Sequence, residues 1–289
     1  MRILVTGAGG QVGRELVATA PTTAVVVALE RSALDITQSA AVMERVQSLQ
    51  VDVVINTAAY TAVDAAEGDP VSAYAANAEG AANLASAAAA CNIRLIHLST
   101  DFVFDGKQSR PYRPEDAPAP LNVYGTSKLE GERRVLALCG NRGLIIRTAW
   151  VYSAHGRNFV KTVLRLLQER EDLGVIFDQV GTPTWARTLA RCVWAAVVKP
   201  ALTGVYHWTD AGVASWYDFA VAIQEEATTL GLLTRQAMVR PILAEEYPLP
   251  ARRPAYSVLD ITRSLRDFAP VPLHWRQALR AMLVELAHA

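Results

Sequence analysis

A doubly wound α/β fold, a parallel sheet covered by helices on both faces, is predicted by three features of this chain. The first half alternates short β-rich runs with helical segments. Those runs are almost continuously apolar, as strands buried on both faces must be. The first run leads directly into a glycine-rich turn, Ile3-Leu-Val-Thr-Gly-Ala-Gly-Gly-Gln-Val-Gly13. Predicted strands cover Ile3 to Thr6, Ala24 to Leu29, Asp52 to Asn56, Arg94 to Ser99 and Leu144 to Thr148. Predicted helical stretches lie near Gln11 to Ala20, Ser39 to Leu49, Pro70 to Ala90 and Asn122 to Cys139.

The opening strand and turn carry the first chemical signal. Gly7, Gly10 and Gly13 are spaced GxxGxxG after a strand and at a helix start. Such glycines permit a tight turn and close approach of a phosphate, while the free amides and dipole of the helix N-terminus favour an anion. A dinucleotide pyrophosphate is the expected guest of this Rossmann-type turn, against the plainer reading of an ordinary strand-to-helix turn. The second strand ends in Ala28-Leu-Glu30-Arg31. There a carboxylate accepts a ribose 2′-hydroxyl and a guanidinium suits a 2′-phosphate, so the pair leaves NADH and NADPH both open. Two solvated charges at a strand end would look the same. Asp35 and Ile36 are placed to bracket the adenine edge. Ala58, Ala59 and Tyr60 follow the third strand where a cofactor crosses the sheet edge, with loop packing as the alternative.

The alanine-rich run from Ala73 to Ala90 suits a helix packed closely against a sheet and carries no chemistry of its own. The fourth strand ends in His97-Leu-Ser99-Thr100-Asp101, and ligands bind at the carboxyl ends of parallel strands. In Asn122-Val-Tyr-Gly-Thr-Ser-Lys128, Tyr124 and Lys128 stand i, i+4 and share a helix face. A free phenol titrates near pH ~10, so a neighbouring ammonium that stabilises phenolate eases its proton transfer. The residues therefore predict transfer of hydride from a nicotinamide to a ketone carbon. Tyr124 would protonate the developing alkoxide, Thr100 would orient the carbonyl oxygen, and Lys128 would lower the phenol pKa and hold the nicotinamide ribose. YxxxK also arises by chance in solvated helices; its place after the glycine turn and the Ser-Thr-Asp strand end gives it weight. His97, on an apolar strand, reads as a satisfied core histidine. Asp101 either holds a substrate hydroxyl or caps the loop that follows.

Beyond Tyr152 the alternation weakens, aromatic residues gather, and prolines cluster at Pro241, Pro248, Pro250 and Pro254 before two short helical patterns. This predicts a Rossmann domain over 1–149 that binds NAD(P). Residues 150–289 would form a smaller, mainly substrate-binding α/β domain, some of whose elements could return to the first. With 289 residues, 51% of them hydrophobic, the chain can bury a large core. Lys plus Arg equals Asp plus Glu at 28 each, so no net field draws nucleic acid or an anionic membrane. Cys91, Cys139 and Cys192 are scattered without CxxC spacing, which suits buried thiols and shows no metal framework. With no signal-peptide run after Met1-Arg2 and no membrane-length apolar stretch, a cytoplasmic protein is expected.

Taken together, these segments resemble the extended short-chain dehydrogenase/reductase superfamily and, more narrowly, the dTDP-4-dehydrorhamnose reductase family, nearly end to end. The narrower likeness is carried by Asn56-Thr-Ala-Ala-Tyr-Thr-Ala-Val-Asp-Ala-Ala-Glu67, Ser99-Thr-Asp-Phe-Val-Phe-Asp-Gly106 and Pro120-Leu-Asn-Val-Tyr-Gly-Thr-Ser-Lys128. Asp178-Gln-Val-Gly-Thr-Pro-Thr184 and Ala251-Arg-Arg-Pro254 add to it, while Gly10-Gln-Val-Gly13 and Arg147-Thr-Ala-Trp-Val-Tyr152 are shared across the superfamily. The resemblance implies reduction of the C4 ketone of a dTDP-4-dehydro-6-deoxy-L-mannose, with Thr100, Tyr124 and Lys128 as the catalytic set. It implies that Gly10, Gln11 and Val12 touch the cofactor and that Ala58 to Tyr60 lie along it. Thr100, Asp101 and Trp150 are implied sugar contacts, with a core aromatic as the other reading of Trp150. Arg252 or Arg253 is implied at the substrate diphosphate, with a surface ion pair as the alternative. Some relatives resemble magnesium-linked dimers. Glu15 is present here, but Arg187 and Arg191 stand where acidic ligands are expected, which argues against the metal and leaves monomer and homodimer open. Two other readings stay in play: another nucleotide-sugar reductase or epimerase, and a noncatalytic nucleotide-binding subunit.

Overall fold

Six parallel strands form the central sheet of the computed structural model, which describes residues 1–268 and 271–288. They are β1 (Arg2–Thr6), β2 (Val25–Leu29), β3 (Val53–Asn56), β4 (Arg94–Thr100), β5 (Gly143–Thr148) and the strand Gly204–His207. From one edge to the other the order is Gly204–His207, β5, β4, β3, β1, β2. The chain builds outward from β1 to β2, then crosses to β3 on the other side of β1. That reversal opens a crevice at the carboxyl ends of β1 and β3, where the glycine turn and the Ala58 loop emerge. The fully buried β3, Val-Val-Ile-Asn, shows why such strands read as apolar runs rather than alternating ones, while β4, also fully buried, carries Arg94, His97, Ser99 and Thr100.

Helices cover both faces. One face is closed by α1 (Gln11–Ala18) and by the helix Ala186–Val197, which comes from the second half of the chain; Leu16, Leu189 and Val193 are fully buried there. The other face is closed by α2 (Ser39–Leu49), Gly80–Ala90 and Val123–Cys139, with Val46, Leu84, Ala88 and Val135 in its core. The small side chains of the alanine-rich run do let it pack closely, yet it is not one continuous α-helix. Between Pro70–Tyr74 and Gly80–Ala90 the residues Ala75–Glu79 make a π turn, a wider i→i+5 winding of the kind that recurs at functional sites.

The second half supplies the sixth strand and a separate apolar cluster. That cluster is built from the helices Phe159–Glu169, Trp216–Thr229 and Trp275–Ala287 and from the parallel pair Asp172–Ile176 with Met238–Ile242. Among the described residues no helix is long and apolar enough to cross a membrane, and all three cysteines are unpaired.

Candidate active site

The turn after β1 packs directly against the loop that follows β3. Gly7 has φ +69°, and a Cβ there would stand 2.5 Å from the Ala58 amide nitrogen, so no side chain fits. Gly10 starts α1 without any side-chain cap, and the first turn of the helix holds no acidic residue. The first-turn amides of Gln11, Val12 and Gly13 are thus left for an anion. The adjoining cleft, about 660 Å³, is lined by Gly7, Gly10, Glu30, Arg31, Asp35, Ile36, Ala58, Ala59 and Tyr60 among others. Nine of the residues expected at a dinucleotide therefore do share one crevice, and the capless glycine cradle fits a pyrophosphate.

Their side chains differ in what they have left to offer. The Arg31 guanidinium is 85% exposed and meets Asp35 only at 3.3 Å, so it remains open to a partner. Asp35 accepts from both the amide and the hydroxyl of Thr37, which holds its carboxyl below the usual range. The Ile36 side chain is buried in the core. Gln11 accepts from Asn158 at 3.0 Å, Val12 packs against the core, and Gly13 is buried.

The candidate reacting centre lies where the Val123–Cys139 helix packs on β4. Asn122 caps that helix by accepting from the Gly125 amide at 2.7 Å, and its own amide donates to the Arg252 carbonyl at 2.8 Å. Gly125 allows close docking: a Cβ there would fall 2.2 Å from the Phe102 carbonyl oxygen. Tyr124 consequently sits beside Thr100, edge-on to Phe102 with ring centroids 5.8 Å apart. Burial pushes the phenol up to about 12, the Thr100 hydroxyl opposes that, and Asp101 adds to it. The Thr100 hydroxyl also donates to Asp101 Oδ1 at 3.1 Å and accepts from the Phe102 amide at 3.2 Å. The cap of the following 3₁₀ turn is therefore Thr100, not Asp101. Asp101 is buried with Oδ2 unpartnered, and burial pushes its carboxyl up to about 7, the nearby Ser257 and Thr100 hydroxyls opposing the shift.

Lys128 is 3% exposed and donates to the Leu98 carbonyl at 2.7 Å. Burial pushes its ammonium down to about 8, with Glu132 one turn on opposing the shift. Glu132 is itself held by Arg147 of β5 at 2.6 Å in a fully buried pair. His97, read from sequence as a core histidine, is buried and hydrogen-bonded to Asn56 at 2.9 Å, and its other ring nitrogen lies 3.5 Å from Lys128 Nζ. Burial, then Lys128, hold it well below its usual pKa, so it is neutral.

A second cleft, about 850 Å³, opens in the second half between Phe159, Trp216, Arg240, Tyr247 and Arg253. Arg253 lines it while chelating Asp64, whereas its neighbour Arg252 points to solvent and lines neither cleft. Trp150 is partly buried, with its ring stacked flat on Trp216 at 3.5 Å and pressed against Gly181. Its backbone is at φ +47°, a left-handed conformation that a bulky residue adopts only when its surroundings enforce it. Trp216 is one of the aromatics that gather after Tyr152, and nothing in the sequence singles it out. Sequence reading missed Asn77 of the π turn, which brackets the Tyr60 backbone at 2.9 and 3.0 Å and donates to Ser127 at 3.0 Å.

The acidic group around Glu15 does not suit a divalent cation. Glu15, His155 and Glu285 bring ligand atoms within 4.8 Å of one another. Yet the Arg187 guanidinium donates to both carboxylates at 2.7 Å, and a fixed cation there repels a metal ion. Arg191 is exposed on the same helix.

Comparison with known proteins agrees with this architecture. The family model described as RmlD substrate binding domain matches residues 1–288. The dTDP-4-dehydrorhamnose reductase of Aggregatibacter actinomycetemcomitans is 43% identical over 286 residues, 96% of this chain and 97% of that protein. The crystal structure of a dTDP-4-dehydrorhamnose reductase from Clostridium acetobutylicum superposes with TM-score 0.93 at 39% identity, covering 100% of both chains. That of the Bacillus anthracis dTDP-4-dehydrorhamnose reductase in complex with NADP gives 0.91 at 36%, covering 98% of this chain and 99% of the other. The chain belongs to the dTDP-4-dehydrorhamnose reductase family.

Proposed function

We propose that this protein reduces the C4 ketone of dTDP-4-dehydro-L-rhamnose to give dTDP-L-rhamnose, with NADPH as the preferred reductant. The observation that carries the reading is the Tyr124 phenol beside the Thr100 hydroxyl at the end of β4, with Lys128, one helical turn on, held to the Leu98 carbonyl of the same strand. Family membership narrows the substrate. The exposed Arg31 guanidinium beside the cleft suits a 2′-phosphate, and Glu30, against Gly9, suits a ribose hydroxyl.

The bound cofactor supplies the hydride. Tyr124 gives its phenolic proton to the carbonyl oxygen as that oxygen gains negative charge. Thr100 orients the same oxygen through its hydroxyl. Lys128, charged below about pH 8, steadies the phenolate left behind. Asp101, with a free buried oxygen, holds a sugar hydroxyl, and its raised pKa lets it accept or donate there. The 850 Å³ cleft takes the nucleotide diphosphate: Trp216 and Tyr247 offer apolar faces, and Arg253 offers charge. On this reading the six-stranded sheet holds the cofactor and the second apolar cluster holds the sugar nucleotide. The unpaired cysteines suit a reducing compartment, and we place the protein in the cytoplasm.

The test is net oxidation of NADPH by the purified protein with enzymatically generated dTDP-4-dehydro-L-rhamnose. Tyr124→Phe should lower kcat by roughly 10²–10⁴-fold while the variant still binds NADPH. Turnover at the wild-type rate in that variant would refute the assignment, and substrate interconversion without cofactor consumption would point to an epimerase.

A further inference from the structure

Behind Lys128 lies a chain of polar groups with a defined direction. The Ala58 amide can only donate, and it donates to Asn56 Oδ1 at 3.0 Å; the Thr6 hydroxyl donates to the same oxygen at 2.8 Å. The Asn56 side chain is thereby oriented, so the atom 2.9 Å from His97 Nδ1 is an NH₂, which can only donate. His97 Nδ1 is therefore the bare, accepting nitrogen. A neutral imidazole with a bare Nδ1 carries its hydrogen on Nε2, and Nε2 is the nitrogen 3.5 Å from Lys128 Nζ. An ammonium has no lone pair to receive that N–H, whereas an amine has one. The other contact of Lys128, with the Leu98 carbonyl, is served by either form.

We propose that His97 is a positioning residue for Lys128: its Nε2–H faces the lysine nitrogen, favours the amine over the ammonium, and so sets the pH at which Lys128 surrenders the charge that supports Tyr124. The kinetic consequence rests on the reductase reading above; the tautomer does not. The groups facing Lys128 divide in sign. Glu132, on its own helix and paired to Arg147 of β5, favours the ammonium. His97 of β4 opposes it. Tyr124 stands one turn earlier on the helix, and Asp101 lies beside its phenol. The chain also begins at the cofactor cleft, because Ala58 lines it.

The direct test is ¹⁵N NMR of the full-length protein labelled at histidine, at neutral pH. The expected result is a neutral His97 protonated at Nε2 alone; protonation at Nδ1, or at both nitrogens, overturns the proposal. A second arm compares pH profiles of kcat for His97→Gln, whose amide keeps an N–H near the Nε2 position, and His97→Leu, which has none. The alkaline limb should stay in place for Gln and move upward by roughly half to one unit for Leu, the effect of losing one hydrogen bond. A limb that stays put in Leu, or moves equally in both variants, overturns it. Should the Leu variant fail to fold, the NMR result on the unaltered protein decides. An active Tyr124→Phe variant alongside the expected tautomer would refute the reductase reading alone. An inactive one alongside the wrong tautomer would refute only the role of His97.

Discussion

Arg253 meets both carboxylate oxygens of Asp64, at 3.0 and 2.7 Å, and so fastens the loop lining the larger cleft to the segment that leaves the smaller one. The hydrogen bond from Arg253 is the main reason the Asp64 carboxyl sits below its usual pKa, burial acting the other way. The two side chains are 17% and 36% exposed, so the contact orders a loop more than it stabilises the fold.

Asp64→Asn should therefore act on substrate binding. KM for the sugar nucleotide is expected to rise roughly three- to tenfold, with kcat within about twofold and unfolding free energy changed by less than about 1 kcal/mol. Steady-state kinetics and urea unfolding check both halves.

On the proposed mechanism Lys128 should give the reaction an alkaline limb. Its ammonium, lowered to about 8, is present below that pH and lost above it, so the phenolate loses its stabilising charge as pH rises. Reductive kcat should fall about tenfold per unit beyond the limb, as for loss of a single required proton. A profile flat to pH ~10 would count against Lys128 as the supporting cation.

Cofactor choice should turn on Arg31. Arg31→Ala is expected to raise KM for NADPH about tenfold, the loss of one exposed phosphate contact, and to leave KM for NADH nearly unchanged. Equal changes for both cofactors would place the 2′-phosphate elsewhere.

The buried pair Glu132–Arg147 should be costly to break on one side. Both side chains are nearly inaccessible, and Arg147 also lies 5.1 Å from the Phe104 ring. Glu132→Ala strands the guanidinium and should destabilise by roughly 3–5 kcal/mol, measurable by denaturant titration.

Much of this was legible because the site is built where sequence speaks plainly. Strands buried on both faces read as apolar runs, and the turn after β1 admits only glycine at position 7. Tyr124 and Lys128 are joined by simple helix geometry. What stayed hidden depends on distant contacts. The strand Gly204–His207 is four residues long and owes its place to pairing with β5. The π turn at Ala75–Glu79 is invisible in a run whose propensity is plain α-helix. Arg252 and Arg253 are indistinguishable as letters, yet only Arg253 turns inward to find Asp64. His97 looked like a core residue because it is one; its second role comes from the lysine that packs beside it.

The late arrival of that sixth strand has a bearing on how the molecule is made. Until residue 207 leaves the ribosome, β5 is a bare margin whose Leu144, Ile145 and Ile146 are meant for full burial. The six-stranded sheet therefore cannot mature ahead of the rest during synthesis, and a fragment ending at residue 149 should be sticky and inert rather than a working half.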